Sequence, residues 1–154
     1  MQVPNANIRS SHYYIAETHV RCAECGRQAR VLALAAPHNH EIQVDGEWQS
    51  VDGNAFIFHV AELPDAVNRQ LHERSPAYGP LRCQDTADSL WVNHCEHCGE
   101  PFSDDELHCE PGGFMPERVE DAEAIVLSRI DAGFSASAAG YALAPEFFAS
   151  MRKL

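Results

Sequence analysis

The rhythm of hydrophobic and polar positions changes several times along this chain. His12 to Val20, HYYIAETHV, is dense in aromatic and β-branched residues and predicts a strand. Arg30 to Ala36, RVLALAA, is a short apolar run that predicts the returning strand of a hairpin. Its tip is then residues 22–25. The next stretch, EIQVDGEWQSVDGNAFIFHVAEL, contains Asp45-Gly46 and Asp52-Gly53. Asp-Gly suits tight hairpin turns, whose two central residues need positive φ. Strands over 41–44, 47–51 and 55–61 follow as a meander. In the last of them Phe56 and Phe58 share one face and Ile57 and His59 the other.

Pro64 opens PDAVNRQLHER, where Val67 and Leu71 fall on one helical face, and Ser75-Pro76 ends it. Residues 76–88 read as a loop, and SLWVNH as a strand running into Cys95. The breaker-rich GEPFSDDELHCEPGGFMPE reads as loop with one short strand at most. In EAIVLSRI the preceding acids suit a helix start, but the β-branched density favours a strand. DAGFSASAAGYALA is small and flexible in composition. PEFFASMRKL predicts a short C-terminal helix that docks Phe147, Phe148 and Met151.

The chemistry lies in a repeated motif. Cys22-Ala-Glu-Cys25-Gly26 matches Cys95-Glu-His-Cys98-Gly99, both C-x-x-C-G. Two residues between thiolates let one tight turn aim both sulfurs at a single ion, and the following glycine permits the positive φ that closes it. Tetrahedral zinc takes four such ligands, so Cys22, Cys25, Cys95 and Cys98 are the expected set for one Zn²⁺. Residues 26–94 separate the motifs, against about 15–20 residues in common ribbons. Loop closure costs grow only logarithmically with length, so a folded insertion is tolerable. A thioredoxin-type redox pair is the competing reading. It requires a helix starting at the first cysteine, which Gly26 and Gly99 oppose. Arg21, Arg27 and Arg30 beside the first motif are placed to offset the negative thiolate site and the acids Glu96, Glu100, Asp104 and Asp105 around the second.

Cys83 and Cys109 stand outside the motifs and read as small buried hydrophobes, with a second metal site as the alternative. Cys109 is the better candidate for the latter, because His108 adjoins it and His94 and His97 flank the second motif. PHNHE, residues 37–41, reads as a polar loop. Gly112-Gly113 gives a sharp turn that either presents Phe114 or packs it inward.

Composition narrows the function. The 154 residues fit one domain. The absence of a long apolar run argues against a membrane span, and the polar N-terminus against a secretory signal, so a cytoplasmic location is expected. Six cysteines are then thiols or ligands rather than disulfides. The net charge is −12, and Glu100 to Glu123 holds nine acids against Arg118. Such a surface repels phosphate backbones and argues against nucleic acid as a partner. It is either a solvated face or a dock for a basic partner protein.

Around residues 13–36 and 89–110 the paired C-x-x-C-G motifs resemble zinc-ribbon, or rubredoxin-like, knuckle proteins. The layout HVRCAECGR, VNHCEHCGE, LHCEPGGFMP is similar to that of small bacterial proteins. The resemblance implies a zinc ribbon built from those two segments, with residues 37–88 as a folded insertion, and it implies no reaction. The expected fold class is α+β, mainly antiparallel β-sheet with a zinc-ribbon module and two short helices. The expected function is a non-enzymatic, zinc-stabilised interaction module with another protein as partner. The alternative is a hydrolase or transferase whose active site lies outside a structural zinc, near His59, His94, His108 or the Gly112 turn.

Overall fold

The computed structural model describes residues 5–82, 89–109, 113–143 and 148–153. Its strands are β1 (Ile8–Ser10), β2 (Tyr13–Arg21), β3 (Gln28–Ala36), β4 (His40–Val44), β5 (Glu47–Val51), β6 (Ala55–Glu62), β7 (Tyr78–Arg82), β8 (Ser89–Asn93), β9 (Val126–Ile130), β10 (Phe134–Leu143) and β11 (Arg152–Lys153). Helix α1 spans Asp65–Arg74, and the single-turn helices α2 and α3 span Asp104–Cys109 and Val119–Glu123. The strands join in the order β11-β9-β2-β3-β6-β10-β1-β4-β5, with β8 on β6 and β7 on β8. Among the described strands, only β11–β9 is parallel.

The hairpin β2–β3 is the centre of the sheet, and both its faces are buried. Tyr13, Ile15, Leu32 and Leu34 pack with Val67 and Leu71 of α1 on one side. Ala16, Val31, Ala33 and Ala35 pack with Leu107, Phe114, Ile125 and Phe148 on the other. This double burial is why RVLALAA shows no alternation of polar and apolar positions. Phe114 is buried, so the turn at Gly113 packs its aromatic inward rather than presenting it.

Asp45 and Gly46 take φ of 52° and 82°, the paired positive values expected of the turn between β4 and β5. The expected meander stops there. β6 does not pair with β5; it crosses to the centre and lies between β3 and β10. His59, with φ of 51°, falls where β6 passes from β3 to β8. Its N–H donates to the Asp104 carboxylate at 2.8 Å, which pins α2 to the sheet.

Four other expectations are corrected. FSASAAGYAL is a full strand, β10, and its small residues serve close packing. A Cβ on Gly140 would lie 2.2 Å from Phe58 Cδ2, so no larger residue fits that register. Tyr78–Arg82, read as loop, pairs with β8. The breaker-rich acidic stretch contains α2. His40, read as part of a polar loop, is fully buried; its Nδ1–H donates to Pro37 O and its Nε2 accepts the Tyr141 hydroxyl, both at 2.7 Å. Of the C-terminal segment expected to be helical, residues 148–153 end in β11, while 144–147, including Phe147, lie outside the described residues.

Candidate metal centre

Each cysteine pair sits at the end of a hairpin arm, and the two turns are built alike. In the first, Gly26 N–H donates to Cys22 O at 2.8 Å and Cys22 N–H to Arg27 O at 2.9 Å. In the second, Gly99 N–H donates to Cys95 O at 2.8 Å and Cys95 N–H to Glu100 O at 2.7 Å. Gly26 and Gly99 have φ of 73° and 81°, the left-handed region in which a side chain is strained.

The turns face one another and bring Cys22, Cys25, Cys95 and Cys98 together, with all four sulfurs within 4.8 Å of one another. Cys22 lies 3.7 Å from Cys98, and Cys25 lies 3.7 Å from Cys95. A regular tetrahedron with arms of about 2.3 Å has edges of about 3.8 Å. The spacing thus fits an ion bound by four thiolates. Cys22 and Cys95 are buried over Ala29 and Phe102, whereas Cys25 and Cys98 are exposed.

Backbone N–H groups converge on the sulfurs. His97 N–H points to Cys95 Sγ at 3.4 Å. The N–H groups of Arg27 and Glu100 reach Cys25 and Cys98. Burial opposes ionisation of Cys95, but the N–H groups of Cys98 and His97 and the neighbouring thiols hold it down to about 6. The Glu100 N–H pulls Cys98 the other way from desolvation and the three surrounding sulfurs, and the balance pushes it up to about 12. Four sulfurs at this spacing cannot all carry charge without a cation among them, which is the electrostatic complement of the tetrahedral fit.

The second turn is docked on the sheet by side chains that take the place of a strand. β6 pairs with β3 only at Leu34–Ala36, leaving the same edge bare at Leu32, Arg30 and Gln28. Asn93, buried to 2 % exposure, accepts from Leu32 N–H at 2.7 Å and donates to Leu32 O at 2.8 Å. Glu96 accepts from Arg30 N–H at 2.9 Å, and His97 Nε2–H donates to Gln28 O at 3.0 Å. Alternate residues of a strand present their backbone to the same edge, so these three side chains cap consecutive sites. Sequence reading missed them. The only available signal was that polar residues fill every position around Cys95 where a turn needs few.

The remaining candidates are placed elsewhere. Arg21 donates to Gly26 O, and Arg30 lies 3.6 Å from Glu17 and donates to Arg74 O, so neither guanidinium partners the acids of the second turn as expected. His94 bonds Ala77 O. His59 bonds Asp105 at 2.8 Å. His108 is stacked on Phe58 at 4.4 Å and on Phe114 at 5.2 Å, with Nδ1 buried and unpartnered. Burial, then the nearby His59, lowers its pKa to about 3. Cys109 ends α2, and Cys83 and Gly112 lie outside the described residues. Open clefts of about 540 and 740 Å³ flank the cysteine cluster, one reaching Glu24, Glu100 and Phe102, the other Arg30, Ser75 and His94. No protein-family profile matches the chain, and no curated protein or solved structure does either.

Proposed function

We propose that Cys22, Cys25, Cys95 and Cys98 hold one Zn²⁺ whose role is structural, and that the protein is a zinc-stabilised, non-enzymatic interaction module of zinc-ribbon type. The observation that carries this reading is the four-sulfur cluster, with edges of 3.7 Å across the two turns. Sulfur-only ligation with that geometry suits zinc among the available divalent ions. Four thiolates complete the tetrahedron, so no position remains for water or substrate, and thiolate donation makes the ion a poor Lewis acid. The supporting turns follow the same logic: glycines at the closing positions and backbone N–H groups aimed at the sulfurs.

The chain segments joined by the ion are residues 22–25 and 95–98, far apart in sequence. Closing them together is the contribution expected of a structural metal. The interaction role rests on less: the acidic segment 100–123 and the exposed apolar side chains Met115 and Val119 within it, 42 % and 48 % exposed. Metal analysis of the untagged protein tests the zinc reading. One zinc per chain is the expected result, and a folded, metal-free protein with its thiols reduced refutes it.

A further inference from the structure

The cluster has a buried half and an exposed half, and the division does not follow the two turns. Each turn contributes one buried sulfur, Cys22 or Cys95, and one exposed sulfur, Cys25 or Cys98. Each exposed sulfur lies 3.7 Å from the buried sulfur of the opposite turn: Cys98 from Cys22, and Cys25 from Cys95. We propose that this edge is a site of oxidation by small hydroperoxides, which closes disulfides across the two turns and expels the metal. The proposal rests on the zinc reading above and adds a means of regulating that same site.

The steps balance. The thiolate of Cys98 attacks the O–O bond of hydrogen peroxide, forming a sulfenic acid and releasing hydroxide. The thiolate of Cys22 attacks that sulfur, forming the Cys22–Cys98 bond and expelling a second hydroxide. Two sulfurs are each oxidised by one electron and both peroxide oxygens are reduced. Cys25 and Cys95 follow the same course with a further peroxide. In the zinc-loaded cluster all four sulfurs are thiolates, so exposure selects the one attacked first. The buried sulfur of the opposite turn, 3.7 Å away, is then in reach as the resolving thiolate. A zinc ion that has lost two of its four thiolates is weakly held and leaves.

Pairing across the turns has a structural consequence. Oxidation within a turn would leave the two hairpin arms free to part once the ion is gone. Bonds from Cys22 to Cys98 and from Cys25 to Cys95 keep the arms joined, and the hydrogen bonds of Asn93, Glu96 and His97 to β3 remain available. The oxidised chain therefore keeps the sheet and loses the metal, and a thiol reductant with zinc restores the starting state.

The test uses the full chain as purified, with metal content measured first. The zinc-loaded protein is treated with stoichiometric hydrogen peroxide. Released zinc is followed with a chromogenic chelator, and linkages are mapped by mass spectrometry of non-reduced peptides. Before oxidation, Cys25 and Cys98 are expected to alkylate on the order of tenfold faster than Cys22 and Cys95. After it, one equivalent of zinc is lost and the linkages are Cys22–Cys98 and Cys25–Cys95. Predominant Cys22–Cys25 and Cys95–Cys98 linkages overturn the proposal while leaving structural zinc intact. So does zinc that stays bound while Cys25 and Cys98 remain free thiols. A chain that carries no zinc before peroxide is added refutes the metal reading, and this proposal with it.

Discussion

Replacing Asn93 by leucine tests whether a side chain stands in for a strand at the base of the second cysteine turn. Its amide satisfies both backbone groups of Leu32, at 2.7 and 2.8 Å, in a site where Asn93 is 2 % exposed. Leucine has the same branched shape and number of side-chain heavy atoms, so it leaves no cavity. What is lost is a donor and an acceptor, leaving Leu32 N–H and C=O buried without partners. Each orphaned group costs about 1–3 kcal/mol, so Asn93→Leu is expected to destabilise by roughly 2–6 kcal/mol. Water entering the gap would bring the value toward the lower end. Because Asn93 anchors the segment that carries Cys95 and Cys98, zinc affinity should also fall, by about 10–100-fold. Urea unfolding with zinc saturating gives the first quantity: the midpoint moves down with little change in slope. Chelator competition gives the second. A loss under about 0.5 kcal/mol, within the range of ordinary surface substitutions, would show that the Asn93 contacts do not hold the turn to β3.

Three further outcomes follow from the geometry. His108 stays neutral in the fold, with a pKa of about 3 against an ordinary value near 6.5. The unfolded chain therefore takes up the proton first, and stability present above the ordinary value is lost as pH falls toward 3, by roughly 4–5 kcal/mol at most. His108→Phe keeps the stacking on Phe58 and Phe114 and removes the unpartnered Nδ1. It should flatten that acid limb in denaturant titrations, and an unchanged limb would assign it to other groups. Gly140→Ala places a Cβ 2.2 Å from Phe58 and should cost several kcal/mol, read as a lowered melting temperature; wild-type stability would mean β10 sits in another register. Cys83→Ser with Cys109→Ser should retain one zinc per chain while Cys22→Ser or Cys98→Ser lowers it, and zinc loss from the double variant would mean a different ligand set.

Much of the architecture was legible because local chemistry there has few solutions. Asp45-Gly46 gave a two-residue turn, Val67 and Leu71 marked the buried face of α1, and the β-branched VLSRI overrode its acidic prelude to form β9. The C-x-x-C-G pairs gave a cluster whose four members the fold does bring together. What was not legible depends on neighbours distant in sequence. Gly140 of β10 looks flexible until Phe58 is known to lie against it. β6 leaves its expected meander because its apolar faces are better buried between β3 and β10 than against the exposed β5. α2 forms in a breaker-rich segment because Asp104 is held by the backbone N–H of His59. Asn93 read as a strand residue and Glu96 and His97 as turn residues, because the bare edge of β3 that they cap exists only once β6 has turned away.

The central claim is that the ion at Cys22, Cys25, Cys95 and Cys98 holds the two hairpin arms together and does no chemistry. Binding at such sites is worth on the order of 10 kcal/mol in small zinc domains. Here the contacts of Asn93, Glu96 and His97 with β3 retain part of the arrangement without it. The most direct measurement is thermal unfolding of the reduced protein with and without a strong chelator, with metal removal verified on the same samples. For a chain of this size each kcal/mol lost lowers the midpoint by about 2–4 °C, so a loss of even half the binding energy predicts a fall of roughly 10–20 °C. Verified loss of zinc with an unmoved melting curve would contradict the structural role and return these four cysteines to redox or catalytic chemistry.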